Sequence, residues 1–220
     1  MRINGVGSIN GSVDCDDFKI NGNGDISGHT TARTAYINGV ANVYGNVQAE
    51  RLTVNGHADI NGSVATQLLK VNGKARISGD LSGDEMDVNG AVDVKGNCRA
   101  QVFQAKGGFE IDGLLHAGTI DIKLYGDSYT REMSGASIVV KRGTSWFHLS
   151  KVIKSLFRSL QDDLLADNIE GDDIYLEYTK AKIVRGNRVI LGPGCAVDTV
   201  EYKLEFSAAD DARVGSYWKI

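Results

Sequence analysis

Residues 54–79 read VNGHADINGSVATQLLKVNGKARISG, and the stretch repeats within itself: VNGHADINGS starting at Val54 returns as VNGKARISGD starting at Val71, seventeen residues on. Self-similarity at a short fixed period marks a solenoid, so it has to be read before any single motif. The step extends in both directions. Gly5, Gly22, Gly39, Gly56, Gly73, Gly90 and Gly107 stand seventeen apart, as do Gly11, Gly28, Gly45, Gly62, Gly79, Gly96 and Gly113, with no insertion or deletion.

Apolar positions keep the same step. Ile3, Ile20, Ile37, Val54, Val71, Val88 and Ala105 form one row, and Ile9, Ile26, Val43, Ile60, Ile77, Val94 and Ile111 another. Looser rows run from Val13 to Leu115 and from Phe18 to Ile120, and rows of small residues start at Gly7 and Cys15. Each unit thus has six inward positions in three pairs. Within a pair the spacing is two, the period of a strand, and between pairs it is three or four, which requires a corner. Three short strands and three corners predict a triangular parallel coil. A seventeen-residue unit has no room for a strand, a crossover helix and a second strand. Stacked at about 4.8 Å, seven coils would span on the order of 34 Å. Asn4, Asn21, Asn38, Asn55, Asn72 and Asn89 precede the first glycine row. Asn-Gly suits corners that need left-handed backbone angles, and stacked asparagines can bond into a ladder.

The regular solenoid is expected over residues 1–124, followed by an irregular β continuation over 125–144. Residues 145–167 change character. Leu149, Val152, Ile153, Leu156, Phe157, Leu160 and Leu164 fall at three-and-four spacing, with Lys151, Lys154, Arg158 and Asp162 on the other face. That pattern predicts one inserted amphipathic helix. Over 168–220 alternation returns in pairs such as Ile174 and Leu176, Ala181 and Ile183, Val200 and Tyr202, Leu204 and Phe206, predicting irregular coils that continue or cap the stack. The fold class is therefore all-β, a parallel β-solenoid with one helix added.

Composition narrows function. The chain has 220 residues, 27 Gly, 1 Pro and a net charge of −4. An acidic balance is the wrong electrostatic footprint for nucleic acid, so no nucleic-acid partner is expected. The N-terminus shows no signal-peptide pattern and no stretch is apolar enough to span a membrane, so a cytoplasmic protein is expected. Cys15, Cys98 and Cys195 are widely spaced without a C-x-x-C pair and read as reduced thiols, not metal ligands. His29, His57 and His116 occupy three different outward rows and His148 lies by the predicted helix, so no triad or metal cluster forms. Glycine spacing in GVGSING is G-x-G-x-x-x-G, not a phosphate-loop spacing. No enzyme, cofactor or metal is expected.

An open solenoid has two ends with unpaired strand groups and exposed core. The repeat begins at Ile3, which suggests that the first coil is covered by another molecule; an interface that repeats without closing makes a filament. Ile3, Phe18, Trp146, Phe147, Phe157 and Phe206 are the candidate polymerisation or partner surface.

The coils ING/VNG-x-A-x-I-x-G-x-V-x-A from Ile3 to Ala117 resemble the bactofilins, bacterial polymer-forming cytoskeletal proteins. IYLEYTKAKIVRGNRVILGPGCAVDTVEY, residues 174–202, is similar to the tail of longer Gram-positive members of that family. The resemblance implies a right-handed β-helix and nucleotide-independent assembly through the solenoid ends. It also implies scaffolding of cell-shape, cell-wall or motility machinery. Partners would then be further copies of the chain, other bactofilin paralogues, and cell-envelope or motility proteins, with any membrane association made through partners. Two alternatives remain: a monomeric adaptor capped by its C-terminal module, and an acyltransferase-like enzyme on a β-helix. The latter keeps eighteen-residue coils and a catalytic loop histidine, which this chain lacks.

Overall fold

The computed structural model describes residues 1–143 and 163–220. Its strands are β1 (Arg2–Ile9), β2 (Val13–Ile26), β3 (Thr30–Ile37), β4 (Val40–Val43), β5 (Val47–Val54) and β6 (His57–Ile60). They continue through β7 (Val64–Val71), β8 (Lys74–Ile77), β9 (Leu81–Val88), β10 (Ala91–Val94) and β11 (Cys98–Leu124). The last are β12 (Ser128–Arg142), β13 (Leu164–Leu176), β14 (Thr179–Leu191), β15 (Ala196–Ala208) and β16 (Arg213–Lys219). All pair in parallel, forming a β-solenoid of about twelve turns.

The period read from the sequence is the register of the ladders. Ile3 pairs with Ile20, Ile37 with Val54 and Val54 with Val71, each seventeen residues on. Pairing within a coil covers residues 30–32, 34–37 and 40–43 and skips Arg33, so each coil has three straight segments. The inward rows are dry: Ile20, Ile26, Val54 and Val71 are fully buried, within one apolar core that runs from Ile3 to Val200. Each such side chain contributes roughly 1.5–3 kcal/mol by leaving water. The coil itself supplies the regularity, because every residue is covered by its own counterpart one turn away.

The Asn-Gly corners differ from expectation in an instructive way. The asparagine ladder is present: Asn38 Nδ2 donates to Asn21 Oδ1 at 3.0 Å, Asn55 to Asn38 at 2.7 Å and Asn72 to Asn55 at 2.7 Å. Positive φ angles, however, occur in this glycine row at Gly5, Gly22 and Gly107, towards its two ends, and not at Gly39, Gly56, Gly73 or Gly90. What these interior glycines provide is closeness. A Cβ on Gly39 would stand 2.0 Å from the backbone oxygen of Gly22.

Beyond the seventh coil the step changes while stacking continues. Ile120 pairs with Ile138, eighteen on, after a bulge between Ile111 and Leu114. Ser128 pairs with Leu164, thirty-six on, and Leu164 with Thr179, only fifteen on. The excess residues fall between Arg142 and Asp163, at the same corner that carries the asparagine ladder in earlier coils. Residues 145–162 of the expected helix, including Trp146, Phe147 and Phe157, lie outside the described residues. Its last part does not form a helix: Leu164 opens β13, with Leu164 buried, Leu165 exposed and Ala166 buried. Leu160 and Leu164 fit helical spacing, but Leu164 and Ala166 equally fit a strand, and parallel pairing with Ser128 and Thr130 selects the strand. No helix occurs among the described residues.

Candidate assembly surfaces

Inward rows that are buried throughout the stack change character at the last turn. Val184 pairs with Val200, and Val200 with Tyr217. Val184 and Val200 are fully buried, whereas Tyr217 is 61% exposed. Val189, also fully buried, pairs with Phe206, which is only half-buried. Phe206 lies between two aromatic neighbours, its ring 5.6 Å from Tyr202 and 5.0 Å from Tyr217. Leu204 in β15, Trp218 in β16 and Ile220 just after it are also exposed. Phe206 and Tyr217 occupy inward rows, so their rings lie on the cross-section of the coil at its last turn.

Of the residues singled out from sequence, Phe206 falls in this cluster. Ile3 and Phe18 are buried in the first coil, Ile3 in register with Ile20, while Val6 at the adjacent corner is 86% exposed. Among the described residues β1 pairs only with β2, and β16 only with β15. Tyr217 and Trp218 were missed because no period anchors the last coil. Their signal was the row itself, in which Tyr217 continues Val184 and Val200. A bulge between Gly186 and Arg188 moves the register by one residue, so Leu204 points outward instead of pairing inward with Phe206. Ile183 is likewise 37% exposed, and Thr179 joins Ala181 on the inner face in its place.

A second feature is the root of the inserted segment. Arg142 stacks on the Tyr178 ring at 4.2 Å, its backbone N–H donates to Glu177 at 2.9 Å, and the Gly143 N–H donates to Leu124 at 2.8 Å. Where the chain returns, the buried Asp163 accepts from Lys180 at 2.6 Å, and its carbonyl accepts the Ser128 N–H at 3.0 Å. Tyr175 donates to Glu177 at 2.7 Å; that bond, with burial, raises the phenol above its ordinary pKa. Both strands entering the insertion are thus tied to the next coil.

The outward faces carry mixed charge. Arg76 contacts Asp59 at 3.2 Å and Lys74 contacts Asp93 at 3.0 Å, exposed pairs of small energetic weight. Among the described residues no three His, Cys, Asp or Glu side chains are arranged to hold a metal, and no helix is long and apolar enough to cross a membrane.

Comparison with known proteins points the same way. The family model described as "Bactofilin: Polymer-forming cytoskeletal" matches residues 1–82. Uncharacterized protein YhbE of Bacillus subtilis (strain 168) is 58% identical over 221 residues, covering all of this chain and 91% of that protein. Uncharacterized protein YhbF of the same strain is 44% identical over 91 residues, 41% of this chain and 34% of that protein, so the chain spans about a third of YhbF. No solved structure matches the chain. With a parallel solenoid of seventeen-residue coils, an unburied apolar cross-section and this family match together, the chain belongs to the bactofilin family.

Proposed function

We propose that the protein is a non-catalytic scaffold that assembles through its coil cross-sections into nucleotide-independent filaments supporting cell-shape, cell-wall or motility machinery. The carrying observation is the exposure of Phe206 and Tyr217 in rows that are otherwise fully buried. Burying aromatic rings is among the largest gains an interface can make. A further coil stacked on this turn satisfies both the rings and the strand edge of β16, and a second copy of the chain supplies one. A contact that repeats without closing propagates as a fibre. Bactofilin paralogues, which share the coil, are the next candidates for the same surface, and envelope or motility proteins would join the outward faces. The protein then works in the cytoplasm.

Sedimentation and negative-stain electron microscopy without nucleotide test this reading. Wild-type protein should pellet as filaments, and Tyr217→Asp combined with Phe206→Asp should remain in the supernatant with an unchanged β-rich circular-dichroism spectrum. A wild-type protein that stays monomeric at high concentration would favour the capped adaptor instead.

A further inference from the structure

We propose that Asn61 is a site of spontaneous deamidation, singled out among the nine Asn-Gly pairs of the chain because the fold restrains the others. The pairs begin at Asn4, Asn10, Asn21, Asn23, Asn38, Asn55, Asn61, Asn72 and Asn89. Asn-Gly is the dipeptide in which the following backbone nitrogen reaches the side-chain amide with least hindrance.

Six of these asparagines form the ladder. Their carboxamides are bonded to one another from Asn4 to Asn89, with donor–acceptor distances of 2.9, 3.0, 2.7, 2.7 and 3.4 Å along the row. The carboxamides of Asn21, Asn38, Asn55 and Asn72 are held along the solenoid axis from both sides and cannot swing Cγ onto the next backbone nitrogen. Asn4 is held from one side, and Asn89 by Asn72 and by Asp87 Oδ1 at 3.0 Å. Asn10 is restrained differently, because the attacking atom, the Gly11 N–H, donates to Ser27 Oγ at 2.9 Å. Asn23 lies inside β2, paired with Val6 on one side and Val40 on the other. Asn61 has none of these restraints. It is exposed on a bend between β6 and β7, and among the described residues neither its carboxamide nor the Gly62 N–H has a hydrogen-bond partner.

In the reaction the Gly62 nitrogen loses its proton and attacks Asn61 Cγ. A C–N bond forms, Nδ2 leaves as ammonia, and a succinimide remains. Water then opens the ring to aspartate or isoaspartate, so the net change is one water consumed and one ammonia released, with no oxidant or reductant. Isoaspartate carries one more backbone carbon at a corner held by three bonds: Asn61 N–H to the Val43 carbonyl at 2.8 Å, Ser63 N–H to Asn46 Oδ1 at 2.9 Å, and Gly79 N–H to the Gly62 carbonyl at 3.1 Å. A coil whose register is fixed at seventeen residues has no slack for that carbon, so the product weakens this corner.

The full-length protein, aged in mildly alkaline buffer and mapped by peptide mass spectrometry, should convert at Asn61 several-fold faster than at any ladder asparagine. Asn61→Gln should remove most of the conversion, and Asn72→Ala, which frees the Asn55 oxygen, should raise conversion at Asn55. Equal rates at Asn61 and the ladder positions, or total conversion unchanged in Asn61→Gln, would overturn the site; no rise at Asn55 in Asn72→Ala would overturn the ladder as the protecting device.

Discussion

Asn46 Oδ1 accepts the backbone N–H of Ser63, one coil further along, at 2.9 Å, and it occupies the space where a side chain on Gly62 would begin, 2.4 Å from that Cβ position. The relation repeats. Ser63 Oγ accepts from Asp80 N–H at 3.1 Å, Asp80 Oδ1 from Asn97 N–H at 2.7 Å and Asn97 Oδ1 from Leu114 N–H at 3.0 Å. His29 Nδ1 takes the same part for Asn46 at 2.9 Å, and Ser12 Oγ for His29 at 3.1 Å. Each acceptor side chain satisfies a corner N–H that the strand ladders cannot reach. At Gly62, Gly79, Gly96 and Gly113 the missing side chain leaves it room, while Gly28 and Gly45 make way for the backbone of the preceding coil.

This second ladder should matter more for stability than the asparagine ladder. Asn46→Ala leaves the Ser63 N–H without its protein partner and should cost about 1 kcal/mol, while Asn46→Ser or Asn46→Asp, both residue types of the row, should cost less. Asn55→Ala removes only exposed bonds between side chains and should cost about half as much. Thermal unfolding followed by circular dichroism measures the order. Equal losses at Asn46 and Asn55 would show that the corner N–H is satisfied by solvent.

The contrast between these ladders shows how far the sequence could be read. Inward rows, coil length and the asparagine ladder were legible because one residue type recurs every seventeen positions. The acceptor row was not, since Ser12, His29, Asn46, Ser63, Asp80 and Asn97 share a hydrogen-bonding role and no residue type. Glycine was legible as a requirement but not as to its cause: backbone freedom and close approach of the next coil select the same residue, and only the Gly22 oxygen beneath Gly39 tells them apart. In the C-terminal coils the step changes from fifteen to sixteen to seventeen, and one bulge turns Leu204 outward. Without a period, Phe206 could be proposed as a surface residue, but Tyr217 could not be placed beside it.

Alkaline pH should weaken the solenoid through Cys98. The thiol is fully buried beside Met86, and burial pushes it up to about 12 from an ordinary value of 9.0. Above the ordinary value the unfolded chain releases this proton while the folded chain keeps it, so stability is complete below pH 9 and falls as pH rises toward 12. Three units of difference correspond to a loss on the order of 4 kcal/mol. Cys98→Val keeps an apolar side chain in a row that already holds Val13, Val47 and Val64, and removes the titration. Denaturant unfolding across this range should give a clearly shallower decline for Cys98→Val than for wild type; parallel curves would mean that the thiolate is accommodated in the fold.

Thr30 should be improvable. It sits between Val13 and Val47 in an inward row, is 2% exposed, and its Oγ1 is buried without a hydrogen-bond partner among the described residues. An unsatisfied buried hydroxyl costs about 1–3 kcal/mol, and valine has the same shape with a methyl in its place. Thr30→Val should therefore raise stability by about 1–2 kcal/mol. Thr130 is the control, since it is equally buried but its Oγ1 donates to the Glu132 carbonyl at 2.9 Å. Thr130→Val exchanges that bond for a methyl and leaves the carbonyl short of a donor, so it should be neutral to destabilising. Denaturant midpoints for the two variants decide the matter. A gain at Thr30 with none at Thr130 identifies the orphaned hydroxyl as the cause, whereas a loss at Thr30 would mean that a buried water already satisfies it.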